Sequence, residues 1–277
     1  MQPPSSLSPS SASLPPYGSE HEPPFAGPPP QMVRVSLPTG RVWVTWVLLT
    51  INISMFVLTY IVSWLPGCRE LGPFSFNCAL LVLGWKDNAL IAQGQYWRLL
   101  TAIFLHGSLI HLGLNMLALY VLGPQAERVY HSGRFLLLYL IAGLAGSVAS
   151  YAFTPSPSVG ASGAIFGIFG ALAVFYYTTR DILGEAGREQ LRSMGVLVAI
   201  NIAFGIFAGG AIDNFAHIGG LFGGGLSGFM LIPRFVLIRD WYNPRIERET
   251  RKYGLIGAFG LLLLIGVLAL MINPPVR

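Results

Sequence analysis

Five polar side chains of this chain fall inside long apolar stretches: Ser162, His217, His111, Asn115 and His106. A polar side chain inside a membrane span costs a few kcal/mol, so each of these residues requires a reason. A serine hydroxyl becomes a good nucleophile when a base takes its proton, and histidine is the usual base. The residue types therefore predict nucleophilic catalysis by Ser162, with His217 as the base.

His111 and Asn115 are suited to stabilising negative charge. They are four residues apart, which puts them on one face of a helix. Their side-chain donors could bind the oxyanion of a tetrahedral intermediate, an effect worth about 3 kcal/mol per donor. No acidic residue is obviously placed to orient His217, so the pattern predicts a catalytic pair rather than a triad. A metal site is not expected, because the chain has no His-Glu-x-x-His pattern.

The elements that must position these residues are membrane helices. The 277 residues are 53% hydrophobic and 10% charged, with a mean hydropathy of +0.60, whereas soluble domains are about 25% charged. Seven runs without Lys, Arg, Asp or Glu each reach about 20 residues, the length that crosses a hydrocarbon core of about 30 Å. The runs are 43–65, 99–122, 135–153, 159–177, 193–212, 214–233 and 254–273. The sequence therefore predicts an all-α, polytopic membrane helical bundle, and the net charge of +5 does not indicate nucleic-acid binding.

The distribution of positive charge predicts how these helices are oriented. Of the 17 arginines and lysines, 13 fall on the side of the N-terminus and 4 on the other side. Positively charged connections stay in the cytosol, so the N-terminus is expected there, with the protein in a cell inner or plasma membrane. The second, fourth and sixth runs then enter from the outer face.

This orientation gives Ser162, His217 and His111 a common depth. Ser162 and His217 are each about the fourth residue of a run, and His111 lies one turn into its helix if Ser108 is the cap. All three would lie about 5 Å below the outer helix ends. The candidate site is therefore expected to open toward the non-cytosolic face.

Glycines provide a means of bringing the fourth and sixth helices together. Gly163 and Gly167 follow Ser162, and Gly220 and Gly224 follow His217, each pair four residues apart. Small residues at this spacing let membrane helices pack closely. Ser162 and His217 are 55 residues apart in sequence, and such packing would let them meet.

Two further segments lie outside the apolar runs. Residues 1–32 are rich in proline, serine and glycine, which predicts a disordered cytosolic tail. The long outer connection, residues 66–98, contains both cysteines, Cys68 and Cys78. A disulfide and two unpaired thiols are both compatible with the sequence at this point.

Taken together, these residues resemble one family, the rhomboid intramembrane serine proteases. The matching pieces are Trp97 with Arg98, residues 104–116 (FLHGSLIHLGLNM), Gly123 and Pro124 with Glu127 and Arg128, residues 160–163 (GASG), and residues 216–220 (AHIGG) followed by Gly224. The resemblance implies a six-helix catalytic core, here 43–233, with 254–273 as an additional seventh transmembrane helix.

The resemblance also implies the roles of the site residues. Ser162 would be the nucleophile and His217 the base, with an oxyanion hole formed by His111, Asn115 and the backbone N–H of Ser162. Phe166 corresponds to the aromatic residue that packs on the catalytic histidine, and Gly160 would support the site. Such proteins hydrolyse peptide bonds in single-span membrane proteins within the lipid bilayer, and they need no metal or cofactor. Residues 207–210 (FAGG) are predicted to form part of a mobile cap that admits substrate.

Several alternatives remain open. A related non-catalytic protein would bind transmembrane segments for quality control, but the presence of both Ser162 and His217 argues against it. A proton-coupled transporter would use the buried histidines, but the chain shows no internal repeat and no carboxylate within a span. His111 and Asn115 could merely bond neighbouring helices, and His106 could either hold the first outer connection or coordinate water.

Overall fold

The structure, a computed structural model, describes residues 40–207, 212–238 and 245–275. The predicted disordered tail, 1–32, and positions 208–210 of the predicted cap lie outside the described residues. The α-helices of the described part are α1 Val44–Ser63, α2 Ser75–Leu83, α3 Asn88–Ala92, α4 Arg98–Thr101, α5 Leu109–Tyr130, α6 Ser132–Phe153, α7 Ser162–Thr178, α8 Arg180–Phe207, α9 Asn214–Leu231 and α10 Gly254–Met271. Each predicted apolar run contributes one long helix: α1, α5, α6, α7, α8, α9 and α10.

The second run, 99–122, differs from the prediction because it does not form one continuous helix. Its first residues form α4 and a 3₁₀ turn, Ala102–Phe104, after which Leu105 is extended. The long helix α5 begins only after Ser108, whose hydroxyl accepts a hydrogen bond from the backbone N–H of His111 at 3.1 Å. Capping by Ser108 is therefore confirmed, and it places His111 in the first turn of α5.

Five of these helices are long and apolar enough to cross a membrane: α1, α5, α6, α8 and α10. The chain is thus an integral membrane protein with a polytopic helical fold. Helix α7 has 17 residues, about 26 Å at 1.5 Å per residue, so it is shorter than the hydrocarbon core. Most of α7 is buried against other helices rather than lipid, and it carries Ser162 at its first position.

Helices α7 and α9 pack at backbone contact through the predicted glycine pairs. A Cβ on Gly220 would lie 2.0 Å from the carbonyl oxygen of Gly163, and one on Gly224 would lie 2.1 Å from the Cα of Gly167. Helix α6 packs against both, with Gly146 next to Gly163. The glycine spacing predicted from sequence is therefore what brings the two helices that carry Ser162 and His217 together.

A buried carboxylate joins the start of α1 to the end of α5. Glu127 accepts hydrogen bonds from the backbone N–H groups of Trp43, Val44 and Thr45, each at 2.9 Å, and from the hydroxyls of Thr45 and Ser132. These backbone groups belong to the first turn of α1, where a negative charge is favourable. Glu127 therefore has a structural role.

The long outer connection is ordered. Cys68 and Cys78 form a disulfide, so the alternative of two unpaired thiols is excluded by the structure. Arg98 is buried and donates to the carbonyls of Leu81 and Trp85.

On the opposite face, the connection from α9 to α10 includes a two-stranded antiparallel sheet, β1 Arg234–Ile238 and β2 Arg245–Glu249. This hairpin was not predicted from the sequence, and it is a small addition to an otherwise helical fold.

Candidate active site

Ser162 and His217 meet where α7 and α9 begin. The distance between Ser162 Oγ and His217 Nε2 is 3.0 Å, within hydrogen-bonding range. Ser162 is the first residue of α7, and His217 lies in the first turn of α9 with 8% of its surface exposed. A hydroxyl at this distance from an imidazole nitrogen can pass its proton to that nitrogen as it attacks an electrophile.

The segment before Ser162 depends on Gly160. Its φ of +133° lies in a region that residues with a side chain rarely adopt. A Cβ at Gly160 would also lie 2.8 Å from two ring atoms of His111 and 3.7 Å from Ser162 Oγ. Gly160 therefore leaves room for the His111 ring beside the serine, and its supporting role in catalysis stays a prediction.

The ring of His217 is positioned by stacking. Phe166, one turn after Ser162 on α7, lies with its ring centroid 4.1 Å from that of His217 and its plane within 7° of parallel. Among the described residues, His217 Nδ1 has no hydrogen-bond partner. Within the described ranges no carboxylate contacts this second ring nitrogen, and the catalytic pair stays a prediction.

Asp213 is the acidic residue nearest to His217 along α9, and its carboxylate is committed elsewhere. It accepts hydrogen bonds from the hydroxyls of Ser150 and Thr154 and from the backbone N–H of Ala216. Burial alone would raise the pKa of Asp213, but these hydrogen bonds, with one from the Ser158 hydroxyl, outweigh it and hold the pKa below its usual value. Asp213 is therefore an N-cap of α9 rather than a partner of the imidazole.

His111 and Asn115 lie on the face of α5 that lines the same cavity as Ser162 and His217. The amide nitrogen of Asn115 donates to the carbonyl of His111 at 3.0 Å, within its own helix. This bond uses one N–H of the Asn115 amide, which leaves its second N–H as a donor for an oxyanion. The oxyanion role of these two residues stays a prediction.

His106 is fully buried behind His111 rather than in the cavity wall. The two ring centroids are 5.2 Å apart, in an edge-to-face arrangement. Neither ring nitrogen of His106 has a hydrogen-bond partner among the described residues. The contact supports the His111 ring from behind, and the two roles considered for His106 both stay open.

The cavity around the pair has a volume of about 630 Å³ and is open on one side. Its wall includes Ser162, His217, His111, Asn115, Gly160 and Phe166, all of them predicted site residues. It also includes Lys86 and Asp213, which were not predicted as site residues. Asp213 lies between two apolar runs, a signal that was available in the sequence, whereas Lys86 lies in a long connection, where a lysine is ordinary.

No cluster of three metal-binding side chains occurs in the described ranges. The chemistry that the arrangement can perform with its own side chains is acyl transfer: a nucleophile, a base, and donors on a facing helix, around a space that can hold a peptide.

Comparison with known proteins gives consistent matches. A family model described as Rhomboid domain matches residues 93–234, half of the chain. The chain is 46% identical over 190 residues to Rhomboid protease GluP of Bacillus subtilis (strain 168), covering 67% of this chain and 34% of that protein. It is 33% identical over 252 residues to RHOMBOID-like protein 4 of Arabidopsis thaliana, covering 81% and 63%. It is 31% identical over 245 residues to RHOMBOID-like protein 5 of the same plant, covering 78% of each. The chain thus spans about a third of the first relative and under two thirds of the second.

Proposed function

Because this chain belongs to the rhomboid family, we propose that it is a serine endopeptidase that hydrolyses peptide bonds in or near the transmembrane segments of membrane proteins. The observation that carries the proposal is the 3.0 Å contact between Ser162 Oγ and His217 Nε2. It is supported by the similarity to Rhomboid protease GluP, a relative whose name describes a protease. The proposed substrates are single-span membrane proteins, which reach the pair through the bilayer.

The reaction follows from the position of each group. His217 Nε2 accepts the proton of Ser162 as Oγ attacks the carbonyl carbon of the substrate. The resulting oxyanion is stabilised by the backbone N–H of Ser162 and by the side chains of His111 and Asn115. The protonated imidazole then donates to the departing amine, and a water molecule activated by His217 hydrolyses the acyl-enzyme.

The proposal includes an orientation. The N-terminus lies in the cytosol, since 13 of the 17 arginines and lysines fall on that side, and the cavity opens toward the non-cytosolic face of a cell inner or plasma membrane. Substrates would be cut near the outer ends of their spans, at the depth of Ser162.

Cleavage of a single-span reporter by purified protein in detergent tests the proposal. Wild type should cut it, while Ser162→Ala and His217→Ala should each lower kcat by at least about 10⁴-fold with unchanged thermal unfolding. Cleavage that survives in Ser162→Ala would overturn the mechanism. If wild type binds the reporter and does not cut it, the protein is instead one that holds transmembrane segments without hydrolysing them.

A further inference from the structure

A buried lysine lies on the outer side of the Ser162–His217 pair. Lys86, between α2 and α3, is only 1% exposed. Its ammonium donates to the carbonyl of Thr154 at 2.7 Å and to that of Ser150 at 3.4 Å. These carbonyls lie at the end of α6, where a cation is favoured by the helix dipole, and the Thr154 carbonyl also accepts from the side-chain amide of Asn88 at 3.1 Å.

The backbone of Lys86 is bonded to the segment that leads into the nucleophile. Its N–H donates to the carbonyl of Ser158 at 3.0 Å, and its carbonyl accepts from the N–H of Ser158 at 3.2 Å. Ser158 is four residues before Ser162. The next anchor along this segment is Gly160, whose N–H donates to the carbonyl of Ala102 at 2.9 Å. The position of Ser162 therefore depends on a short stretch of chain that Lys86 holds.

The side chain of Lys86 also reaches the helix that carries the base. Thr154 accepts from Lys86 through its carbonyl and donates through its hydroxyl to Asp213 at 3.0 Å. Asp213 in turn caps α9 through the N–H of Ala216 at 3.1 Å, next to His217. Lys86 is thus linked to the chain segments that carry both members of the pair. Its backbone bonds directly to the segment before Ser162, and its side chain is connected to the start of α9 through Thr154 and Asp213.

We propose that Lys86 is a positioning residue for proteolysis, and that its ammonium holds the end of α6, and with it Asp213 and α9, in the register that brings His217 to Ser162. The inference rests on the proposed function of the pair. It assigns to the outer connection a role in catalysis that neither the residue types nor the family resemblance indicated.

Because Lys86 acts through its charge, the proposal predicts a particular pH dependence. Burial lowers the pKa of Lys86 to about 8, although Asp213 and then Asp87 act in the opposite direction. Those two carboxylates are the charged groups that act on the ammonium, since the end of α6 and residues 154–161 contribute only uncharged groups. The ammonium is therefore lost as the pH rises through about 8, and activity should fall with it.

The contribution of Lys86 to the free energy of unfolding should rise with pH, whereas activity falls. In the unfolded chain Lys86 has its ordinary pKa of 10.5, so between about 8 and 10.5 the unfolded state binds more protons than the folded state. The contribution of Lys86 to the free energy of unfolding then rises with pH across that window. A loss of activity caused by Lys86 is thus separable from a loss of the fold.

The experiment compares wild type with Lys86→Met, Lys86→Arg and Lys252→Met. Lys252 is the chain's only other lysine and is exposed, so its substitution is a matched control. For each protein, kcat and KM for the single-span reporter are measured from pH 6 to 10, with thermal unfolding at every pH. Reaction of Ser162 with a fluorophosphonate reports on the nucleophile without the reporter substrate, and Ser162→Ala gives the background.

The expected result is a wild-type kcat that falls above about pH 8 while the protein stays folded. Lys86→Met should lower kcat at pH 7 by about 10- to 100-fold, with KM little changed, because a displacement of about 1 Å at the reacting atoms has that effect. Lys86→Arg, which stays charged, should retain activity to higher pH, and Lys252→Met should follow wild type.

A wild-type kcat that is unchanged from pH 7 to 10 would overturn the inference, even if Lys86→Met fails to fold. So would a folded Lys86→Met with the kcat and fluorophosphonate reactivity of wild type. These outcomes leave the proposed function intact, since wild type still cuts. Failure of the proposed function is recognised separately, because wild type would then neither cut the reporter nor react with the fluorophosphonate above the Ser162→Ala background.

Discussion

At the residue scale, the imidazole of His217 must be held in its plane without help from an acid. The carboxylate of Asp213 is bonded to two hydroxyls and a backbone N–H, and none of its hydrogen bonds goes to His217. The contact that fixes the ring is the stacked Phe166, at 4.1 Å and nearly parallel. Aromatic pairs of this kind contribute about 0.5–1.5 kcal/mol beyond the area they bury. In the proposed mechanism, this packing orients the imidazole as a carboxylate does in a triad.

Replacing Phe166 tests that role. Phe166→Ala removes the stack and should lower kcat by roughly 2- to 10-fold, which corresponds to the energy of an aromatic pair. Phe166→Tyr keeps the ring and should stay close to wild type, and Phe166→Leu restores apolar bulk without a ring. Steady-state cleavage of the reporter gives kcat for all three. If Phe166→Leu equals wild type, apolar volume suffices and stacking is not what orients His217.

At this scale, the sequence pointed to the two residues that the structure brings together, Ser162 and His217, and did not point to the residues around them. Ser162 and His217 are conspicuous because polar groups inside apolar runs require a reason. Lys86 lies in a long connection, where a lysine is ordinary, and only the fold shows that it is buried against the end of α6. Asp213 was not predicted as a site residue, since the hydroxyls of Ser150 and Thr154 that bind its carboxylate are far away in sequence.

At the element scale, the distance between Ser162 and His217 is set by how closely α7 and α9 approach. The helices touch through backbone at Gly163 and Gly220, and again at Gly167 and Gly224. Without a hydrophobic driving force between helices in lipid, this close fit is a main source of their association. Widening it would stretch the contact between Ser162 and His217 as well as weaken the fold.

Gly224→Ala tests this coupling against Gly266→Ala. A Cβ at Gly224 would lie 2.1 Å from the backbone of Gly167, so the helices must separate, whereas at Gly266 on α10 nothing lies within 4 Å. Gly224→Ala should lower the free energy of unfolding by about 1–3 kcal/mol, as overpacking does, and should reduce kcat. Thermal unfolding and cleavage rate, measured together, check it. If the two variants have the same thermal unfolding and the same kcat, the close approach of α7 and α9 is not required for stability or for cleavage.

The sequence predicted these helices better than it predicted their ends. Hydropathy located each long helix, but it merged α4, a 3₁₀ turn and α5 into the run 99–122, because all of them are apolar. The capping serine, Ser108, marked the true start of α5, and that prediction is confirmed by its bond to His111. The hairpin β1–β2 was missed because its strands are short and carry arginines, which the charge count used only for orientation.

At the scale of the whole molecule, several long-range contacts agree on which segments share a face. Glu127, near the end of α5, binds the backbone at the start of α1, so these two ends lie on one side. Asn88, in the connection after α1, donates to the carbonyl of Pro275 at 2.6 Å, so the segment after α10 lies on the side of that connection. Because α1 separates Trp43 from the connection that contacts Pro275, the chain must cross the membrane an odd number of times between Trp43 and Pro275. They do not depend on the charge count, which alone decides which side is cytosolic.

The orientation can be measured with reporter fusions in a bacterial host. Green fluorescent protein folds in the cytosol, whereas alkaline phosphatase is active outside it. Green fluorescent protein fused after Arg277 should therefore not fluoresce, and alkaline phosphatase fused there should be active. Insertion between β1 and β2 should give the reverse, because that connection is rich in arginine and positively charged loops stay inside. Fluorescence of the fusion after Arg277 would show that the orientation is the reverse of the one proposed. Ser162 and His217 would then open to the cytosol, and the proposed substrates would be cut near the inner ends of their spans instead.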